Sequence, residues 1–291
     1  MSRAAERPGP RLLRRGAPPL PGYTVLGHLH RGQDVDVYDV WSEERWCRCA
    51  LKLLRSDRLA DAGARAALLR EAHLLARLSH PHIVRAYEVI DRPRAAVVLE
   101  TLQGATLEHL IASQGRLATA DLVWLGTHLC SALRYLHRHG YLHLDLKASN
   151  IVSHAGLAKL LDLNIARPPG PGRPGEGTRH YMAPEQARGG TLSPATDVWG
   201  LGAVLFEAAT GRLAFEFTSH GPKYPQVEGR AGSIRRHRRL PSRLADLIDG
   251  CLAPEPDQRP SVEALWHSFQ ELARPTGPSQ ALTAPGAPRS G

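Results

Sequence analysis

Between Tyr23 and Leu54 apolar residues come in short runs, and in Val35-Asp36-Val37-Tyr38-Asp39-Val40 they alternate with polar ones, the period of a strand with one face on a core. A small sheet is predicted to open the fold. Over residues 66–78 the period changes: Leu68, Ala72, Leu75 and Leu78 recur at helical spacing, and Ser79-His80-Pro81 closes the segment. This helix carries Glu71. Two more strands are predicted over 83–90 and 95–100, followed by a turn at Gln103-Gly104-Ala105. The pattern then becomes mainly helical. Residues 119–139 put Leu122, Leu125, Leu129, Leu133 and Leu136 on one stripe with Gly140 at the stop position, and further helices are predicted at about 195–209, 242–252 and 261–272. Between them, residues 151–161 predict a hairpin turning at His154-Ala155-Gly156, which would bring Asn150 and Asp162 to the same end.

With 291 residues, 42% of them hydrophobic, the chain can bury a full core as one large domain or two lobes. Its formal charge of +9 suits an anionic partner without choosing among nucleotide, acidic protein, nucleic acid and membrane surface. Cys47, Cys49, Cys130 and Cys251 form no zinc pattern, and a reduced, cytoplasmic chain is the expectation. No apolar run is long enough to span a bilayer, the best candidate being broken by Gly200, Gly202 and Glu207. Residues 1–22 hold five arginines, three glycines and five prolines and are expected to form a disordered arm. The tail over 274–291 has the same character.

The rarest side chains then sharpen the picture. Only four lysines and two asparagines occur, and Leu142-His143-Leu144-Asp145-Leu146-Lys147-Ala148-Ser149-Asn150 takes one of each. The second asparagine lies in Asp162-Leu163-Asn164, and Lys52 ends Cys49-Ala50-Leu51-Lys52. In a chain rich in arginine, lysine persists where a compact point charge is wanted rather than a planar fork. Ala50 and Lys52, two apart on a predicted strand, share a face. Farther on come Gly177-Thr178-Arg179-His180-Tyr181-Met182-Ala183-Pro184-Glu185-Gln186, Asp197 before Trp199-Gly200-Leu201-Gly202, Thr210-Gly211-Arg212, and Asp257-Gln258-Arg259-Pro260. Over about residues 23–273 these motifs, in unbroken order, resemble a eukaryotic-type protein kinase, and among such proteins the bacterial serine/threonine kinases.

The resemblance implies an α+β fold of two lobes, a small β-rich N-lobe at about 23–101 and a larger, mainly helical C-lobe at about 102–273. It implies that Lys52 binds the ATP phosphates and is held by Glu71, with further nucleotide contacts from Gly32, Val37, Ala50, Glu100 and Leu102. Asp145 would orient the substrate hydroxyl, Lys147 would stabilise the transferring phosphoryl group, and Asn150 and Asp162 would hold magnesium or manganese. His143, Glu185, Asp197 and Arg259 would be structural, with Asp197 bracing the catalytic loop and Arg259 pairing with Glu185. Thr178, beside the acceptor loop, leans towards serine and threonine substrates.

The sequence departs from the family pattern in three places. The glycine-rich loop becomes His30-Arg31-Gly32-Gln33-Asp34-Val35 and keeps one glycine of three, which should loosen or reshape the grip on phosphate. Asp34 at its tip either faces the triphosphate or is a solvated turn residue. Leu144 replaces the arginine before the catalytic aspartate. Leu163 and Asn164 replace the phenylalanine and glycine of D-F-G, asparagine being tolerant of left-handed backbone. The cluster Arg235-Arg236-His237-Arg238-Arg239 is either an acidic-partner dock or a solvated loop.

Two functions from different classes fit: an ATP- and magnesium-dependent protein serine/threonine kinase, and a pseudokinase that binds partners without transfer. A small-molecule phosphotransferase should lack the Ala183-Pro184-Glu185 segment. Nucleic acid is not an expected partner, because no aromatic-basic interleaving is present.

Overall fold

The computed structural model describes residues 11–216 and 221–274. The chain divides into two compact units, one of the residues up to Ser79 with Val84–Thr101, the other of His80–Ile83 with the residues from Leu102 on.

In the first unit, strands β1 (Tyr23–Arg31), β2 (Val35–Ser42) and β3 (Cys47–Leu54) precede helix α1 (Ala62–Arg77) and strands β4 (Ala86–Ile90) and β5 (Ala96–Glu100). The strands form one antiparallel sheet in the order β1-β2-β3-β5-β4. On β2 the buried face is Asp36, Tyr38, Val40 and Ser42, and Tyr38 and Val40 pack with Val25, Leu51 and Leu53. A carboxylate can lie on that face because Arg31, its partner across the β1–β2 ladder, grips both oxygens at 2.7 and 3.0 Å. Burial pushes the Asp36 pKa up, but the hydrogen bonds and charge of Arg31 pull it lower still, below the ordinary value. Helix α1 starts at Ala62, earlier than its apolar stripe, because the Asp61 carboxylate caps the Ala64 amide at 3.0 Å.

The arm expected over residues 1–22 is corrected from Arg11 onward. The Gly16 amide donates to the Val25 carbonyl at 2.8 Å, the Val25 amide to Ala17 at 2.9 Å, and the Leu13 amide to the Tyr38 hydroxyl at 3.2 Å. Leu20 is buried in the sheet's core and Leu13 packs against it. Two leucines among the arginines and prolines suffice to anchor the segment, and the prolines reduce the entropy lost on ordering it. Residues 1–10, and the expected tail beyond Arg274, lie outside the described residues.

The second unit contains helices α2 (Leu107–Gln114) and α3 (Thr119–Arg138), the hairpin β6 (Ile151–His154) and β7 (Leu157–Leu160), strand β8 (Gly170–Pro171), helix α4 (Pro184–Arg188), strand β9 (Thr191–Leu192), and helices α5 (Pro194–Thr210), α6 (Pro225–Glu228), α7 (Ser242–Cys251) and α8 (Val262–Ala273). The five-leucine stripe of α3 is fully buried, and α3 packs on both α5 and α8. At Gly126 a Cβ would come within 2.6 Å of the Phe269 ring, so the α3–α8 approach depends on glycine there. Helix α2 escaped the sequence reading because eight residues with three buried apolar ones make too short a period; its signal is the Thr106 cap, whose hydroxyl accepts from the His109 amide. The strand predicted from Ile83 begins only at Ala86, since Ile83 bridges to Leu160 within the second unit. All four cysteines are free thiols. No helix among the described residues is long and apolar enough to cross a membrane.

Leu20→Ala should lower stability by about 2–3 kcal/mol, read as a reduced urea midpoint. An unchanged midpoint would show that residues 11–22 contribute nothing to the sheet.

Candidate active site

In the first unit, β2 and β3 place Val37 directly across from Lys52, with Ala50 two residues along on the same face. The Lys52 ammonium donates to both Glu71 oxygens, at 2.8 and 2.7 Å, and both side chains are buried. Removing either partner would leave a buried charge uncompensated, a loss of about 3–5 kcal/mol. Gly32 closes the β1–β2 turn, its amide donating to the Val35 carbonyl at 2.8 Å. Asp34 is a part-exposed turn residue, as one of its two expected readings had it, and its carboxylate also faces Arg58 at 3.3 Å. Glu100 pairs with Arg85: its amide donates to the Arg85 carbonyl and its carboxylate accepts from the Arg85 amide, each at 2.9 Å. Leu102 lies in the second unit, half-buried and outside any helix or strand.

In the second unit, Asp145, Lys147, Asn150 and Thr178 converge. The Lys147 ammonium is 2.8 Å from Asp145 Oδ2 and 3.1 Å from Thr178 Oγ1, and the Thr178 hydroxyl donates to Asp145 Oδ1 at 2.6 Å. Asp145 thus already accepts from a hydroxyl. Asn150 Nδ2 donates to the Asp145 carbonyl at 3.1 Å and to its Oδ2 at 3.3 Å. The hairpin register sets Ile151 opposite Leu160, and the Leu161 amide donates to the Asn150 carbonyl at 2.9 Å, so Asn150 and Asp162 sit at one end. Asp162 Oδ1 accepts from the Asn164 amide at 2.9 Å. With its Nδ2 turned to Asp145, Asn150 has an amide oxygen to offer beside a carboxylate from Asp162. Such hard oxygens suit Mg²⁺, which keeps several waters and needs few protein ligands. Among the described residues no group of three or more His, Cys, Asp or Glu side chains forms a separate metal cluster.

The left-handed residue of this region is Leu144, at φ +66°, whereas Asn164, the residue chosen from sequence for that tolerance, has no positive φ. A left-handed leucine costs roughly 1–2 kcal/mol. It is held from both sides: Asp197 accepts the His143 and Leu144 amides at 2.8 Å each, and Gln186 Nε2 donates to the Leu144 carbonyl at 2.8 Å. His137 adds a third contact to Asp197 at 2.8 Å. Burial works against the Asp197 charge, yet the His137 contact and the backbone donors keep its pKa below the ordinary value. His143 is fully enclosed, which lowers its pKa, and its Nδ1 accepts from the Asp145 amide at 3.2 Å. Glu185 and Arg259 form a bidentate pair at 2.8 and 2.9 Å, with the guanidinium stacked over Trp199.

The sequence matches the protein kinase domain family over residues 23–269. The chain belongs to the protein kinase family. It is 34% identical over 204 residues to a probable serine/threonine-protein kinase PknB of Lactococcus lactis, covering 67% of this chain and 32% of that protein. It is 33% identical over 240 residues to serine/threonine-protein kinase PkaA of Streptomyces coelicolor, with 78% and 44% covered, and 32% identical over 254 residues to PknB of Mycolicibacterium smegmatis, with 82% and 39% covered. The chain therefore spans less than half the length of these relatives.

Several contacts in this kinase domain had no sequence signal. Gln186 Nε2 also donates to the Glu176 carbonyl at 2.6 Å, and Gln226 Nε2 holds the Arg179 and Met182 carbonyls at 3.1 and 3.0 Å, so two amides pin the segment that carries Thr178. In the arginine cluster, the part-buried Arg238 donates to the Leu117 and Ala209 carbonyls and is a structural tie, whereas Arg235, Arg236, His237 and Arg239 are exposed as a solvated loop would have them, Arg235 also reaching the Ser242 carbonyl.

A buried histidine group supports β7. His82 Nδ1 donates to the Ala158 carbonyl at 3.0 Å, the Ala158 amide donates to His128 Nδ1 at 3.2 Å, and the two rings stack at 4.2 Å. Burial pushes the His128 pKa down to about 3 and that of His80, bonded to Ser131, down to about 4. In the unfolded chain these imidazoles titrate near ~6.5. The unfolded state therefore binds more protons below that pH, so stability is full above it and falls as the pH drops towards the folded-state values. The urea midpoint should decrease between pH 7 and pH 4.5, and a His80→Gln, His128→Gln variant should show a shallower decrease; parallel curves would remove the histidines from the account.

Proposed function

We propose that this chain is a serine/threonine protein kinase that transfers the γ-phosphate of ATP to a protein hydroxyl. The observation that carries the reading is the hydrogen-bonded set of Asp145, Lys147 and Thr178, in which a carboxylate already accepts from a hydroxyl while an ammonium touches both. Phosphoryl transfer asks a protein for positioning and charge neutralisation more than for covalent chemistry. Asp145 receives the hydrogen bond of the acceptor hydroxyl and aims its oxygen. Lys147 balances charge developing on the transferred group, and Lys52, kept extended by Glu71, engages the nucleotide's phosphates. Magnesium or manganese, when bound, neutralises charge on the phosphates, and Asn150 and Asp162 are the residues that would hold it. Thr178, beside Asp145, supports hydroxyl acceptors of serine and threonine.

A second reading, a pseudokinase that binds nucleotide or partners without transfer, is favoured by one observation: the β1–β2 turn retains a single glycine. Radiolabelled ATP incubated with the purified chain, a generic basic protein and magnesium or manganese separates the two, transfer being expected.

Asp145→Asn and Asp162→Ala should each lower transfer by at least about 100-fold without moving the thermal midpoint, because both groups act on the reactants rather than the core. Transfer at the unaltered rate by either variant sinks the assignment. Lys52→Met should abolish transfer too, but with a lowered midpoint, since it strands Glu71.

Between Asp162 and Glu185 the only hydroxyl side chains are Thr178 and Tyr181. The first is committed to Asp145, and the second donates to Glu207 at 2.6 Å. Phosphatase treatment should accordingly leave the rate unchanged; a large loss traced by mass spectrometry to this segment would count against that independence.

A further inference from the structure

The β1–β2 turn is tied down by the stretch that follows β3. Arg55 presents one edge of its guanidinium to Asp57, Nε to Oδ1 at 3.0 Å and Nη2 to Oδ2 at 2.7 Å. That contact fixes the plane of the fork, and the remaining nitrogen, Nη1, donates to the Gly32 and Gln33 carbonyls at 3.1 Å each. The Arg55 amide donates to the Asp34 carbonyl at 2.9 Å, and the Val35 carbonyl takes the Gly32 amide. Four consecutive carbonyls are thus engaged. Arg58 faces the Asp34 carboxylate, which draws that charge towards the guanidinium.

Peptide planarity turns this into a statement about donors. In a trans peptide the N–H of one residue points opposite to the C=O of the residue before it. With the Gly32 and Gln33 carbonyls aimed at Arg55, the amides of Gln33 and Asp34 point away from it, and among the described residues neither has a hydrogen-bond partner. Successive amides aimed together form an anion-binding concavity. Glycine reaches such arrangements through backbone freedom; here the side chain of Arg55 imposes one.

We propose that Arg55, oriented by Asp57 and assisted by Arg58, is a positioning residue that aims the Gln33 and Asp34 amides at the phosphates of the nucleotide. This rests on the kinase reading and explains how a turn with one glycine of three can still serve it. Arg55 touches no substrate atom itself. Its effect is therefore specific to the phosphate part of the ligand.

The test is calorimetric titration of the whole chain with ATP plus magnesium and, separately, with adenosine. Arg55→Ala should weaken ATP about ten-fold while leaving adenosine affinity within about two-fold, and should raise the KM for ATP with little change in kcat. Arg55→Lys should not rescue it, because an ammonium cannot hold Asp57 bidentately while reaching two carbonyls. Gln33→Pro, which removes one amide and leaves Arg55 in place, should weaken ATP in the same selective way. Equal losses for ATP and adenosine, or unchanged ATP binding in Arg55→Ala, would overturn the proposal while leaving the kinase reading intact. Failure of the unaltered chain to bind ATP at all would overturn both.

Discussion

Asp197 is the group on which the backbone leading into Asp145 depends. A carboxylate with no exposure carries a desolvation cost of several kcal/mol unless every lone pair is well used. Its oxygens take the His143 and Leu144 amides and the His137 ring. In return the backbone at Leu144 is kept in a conformation leucine does not choose, and the next residue is Asp145. Strain of this kind persists only where the surroundings over-determine it. The capping of both Leu144 backbone groups, by Asp197 and by Gln186, supplies that condition.

The replacement of an arginine by Leu144 is accommodated by packing rather than by charge. Leu144 is buried with Leu142 and Leu192, and Ile165 lies against them. The chain between Asp162 and Thr178 is then positioned by short backbone links: Arg167 exchanges hydrogen bonds with Leu142, β8 pairs with β9, and the Gly175 amide reaches the Gln186 carbonyl. None of these contacts waits on a modification, and several need the absence of a side chain. At Gly172 a Cβ would meet the Gly190 carbonyl at 2.7 Å, and at Gly177, φ +128°, it would meet Gln186 at the same distance. Gly172 and Gly177 are therefore conditions of close packing in this segment.

Arginine does in this protein much of what secondary structure leaves undone. Arg31 neutralises a carboxylate inside the sheet's buried face, Arg55 holds the β1–β2 turn, Arg238 takes carbonyls of the segments around Leu117 and Ala209, and Arg259 joins Glu185 to the Ala195, Ala253 and Pro254 carbonyls. Each task uses the fork, with two or more acceptors in fixed directions. The few lysines stand elsewhere, and Lys52 and Lys147 each meet a carboxylate, Glu71 and Asp145, where one compact charge serves better. The positive balance of the composition is thus partly an internal scaffold and a weak guide to partners.

The pattern of apolar residues located α1, α3, α5, α7, α8, the sheet strands and the β6–β7 hairpin, because burial rewards such patterns directly, while a cap and a bridge moved the starts of α1 and β4. The spacing of the rare lysines and asparagines carried a resemblance, and that resemblance implied Lys52, Glu71, Asp145, Lys147, Asn150, Asp162 and Thr178. Tertiary structure alone decided the rest. The ordering of residues 11–22 turns on Leu13 and Leu20 finding a core contributed by distant strands. Asp34 and Arg55 acquire meaning only once a turn and the end of β3 lie side by side, and Gln186, Gln226 and His137 act through carbonyls and a carboxylate remote in sequence. A local pattern reports what a residue's neighbours along the chain favour. Hydrogen bonds between remote segments leave no period, so their partners become legible only after hydrophobic burial has brought those segments together.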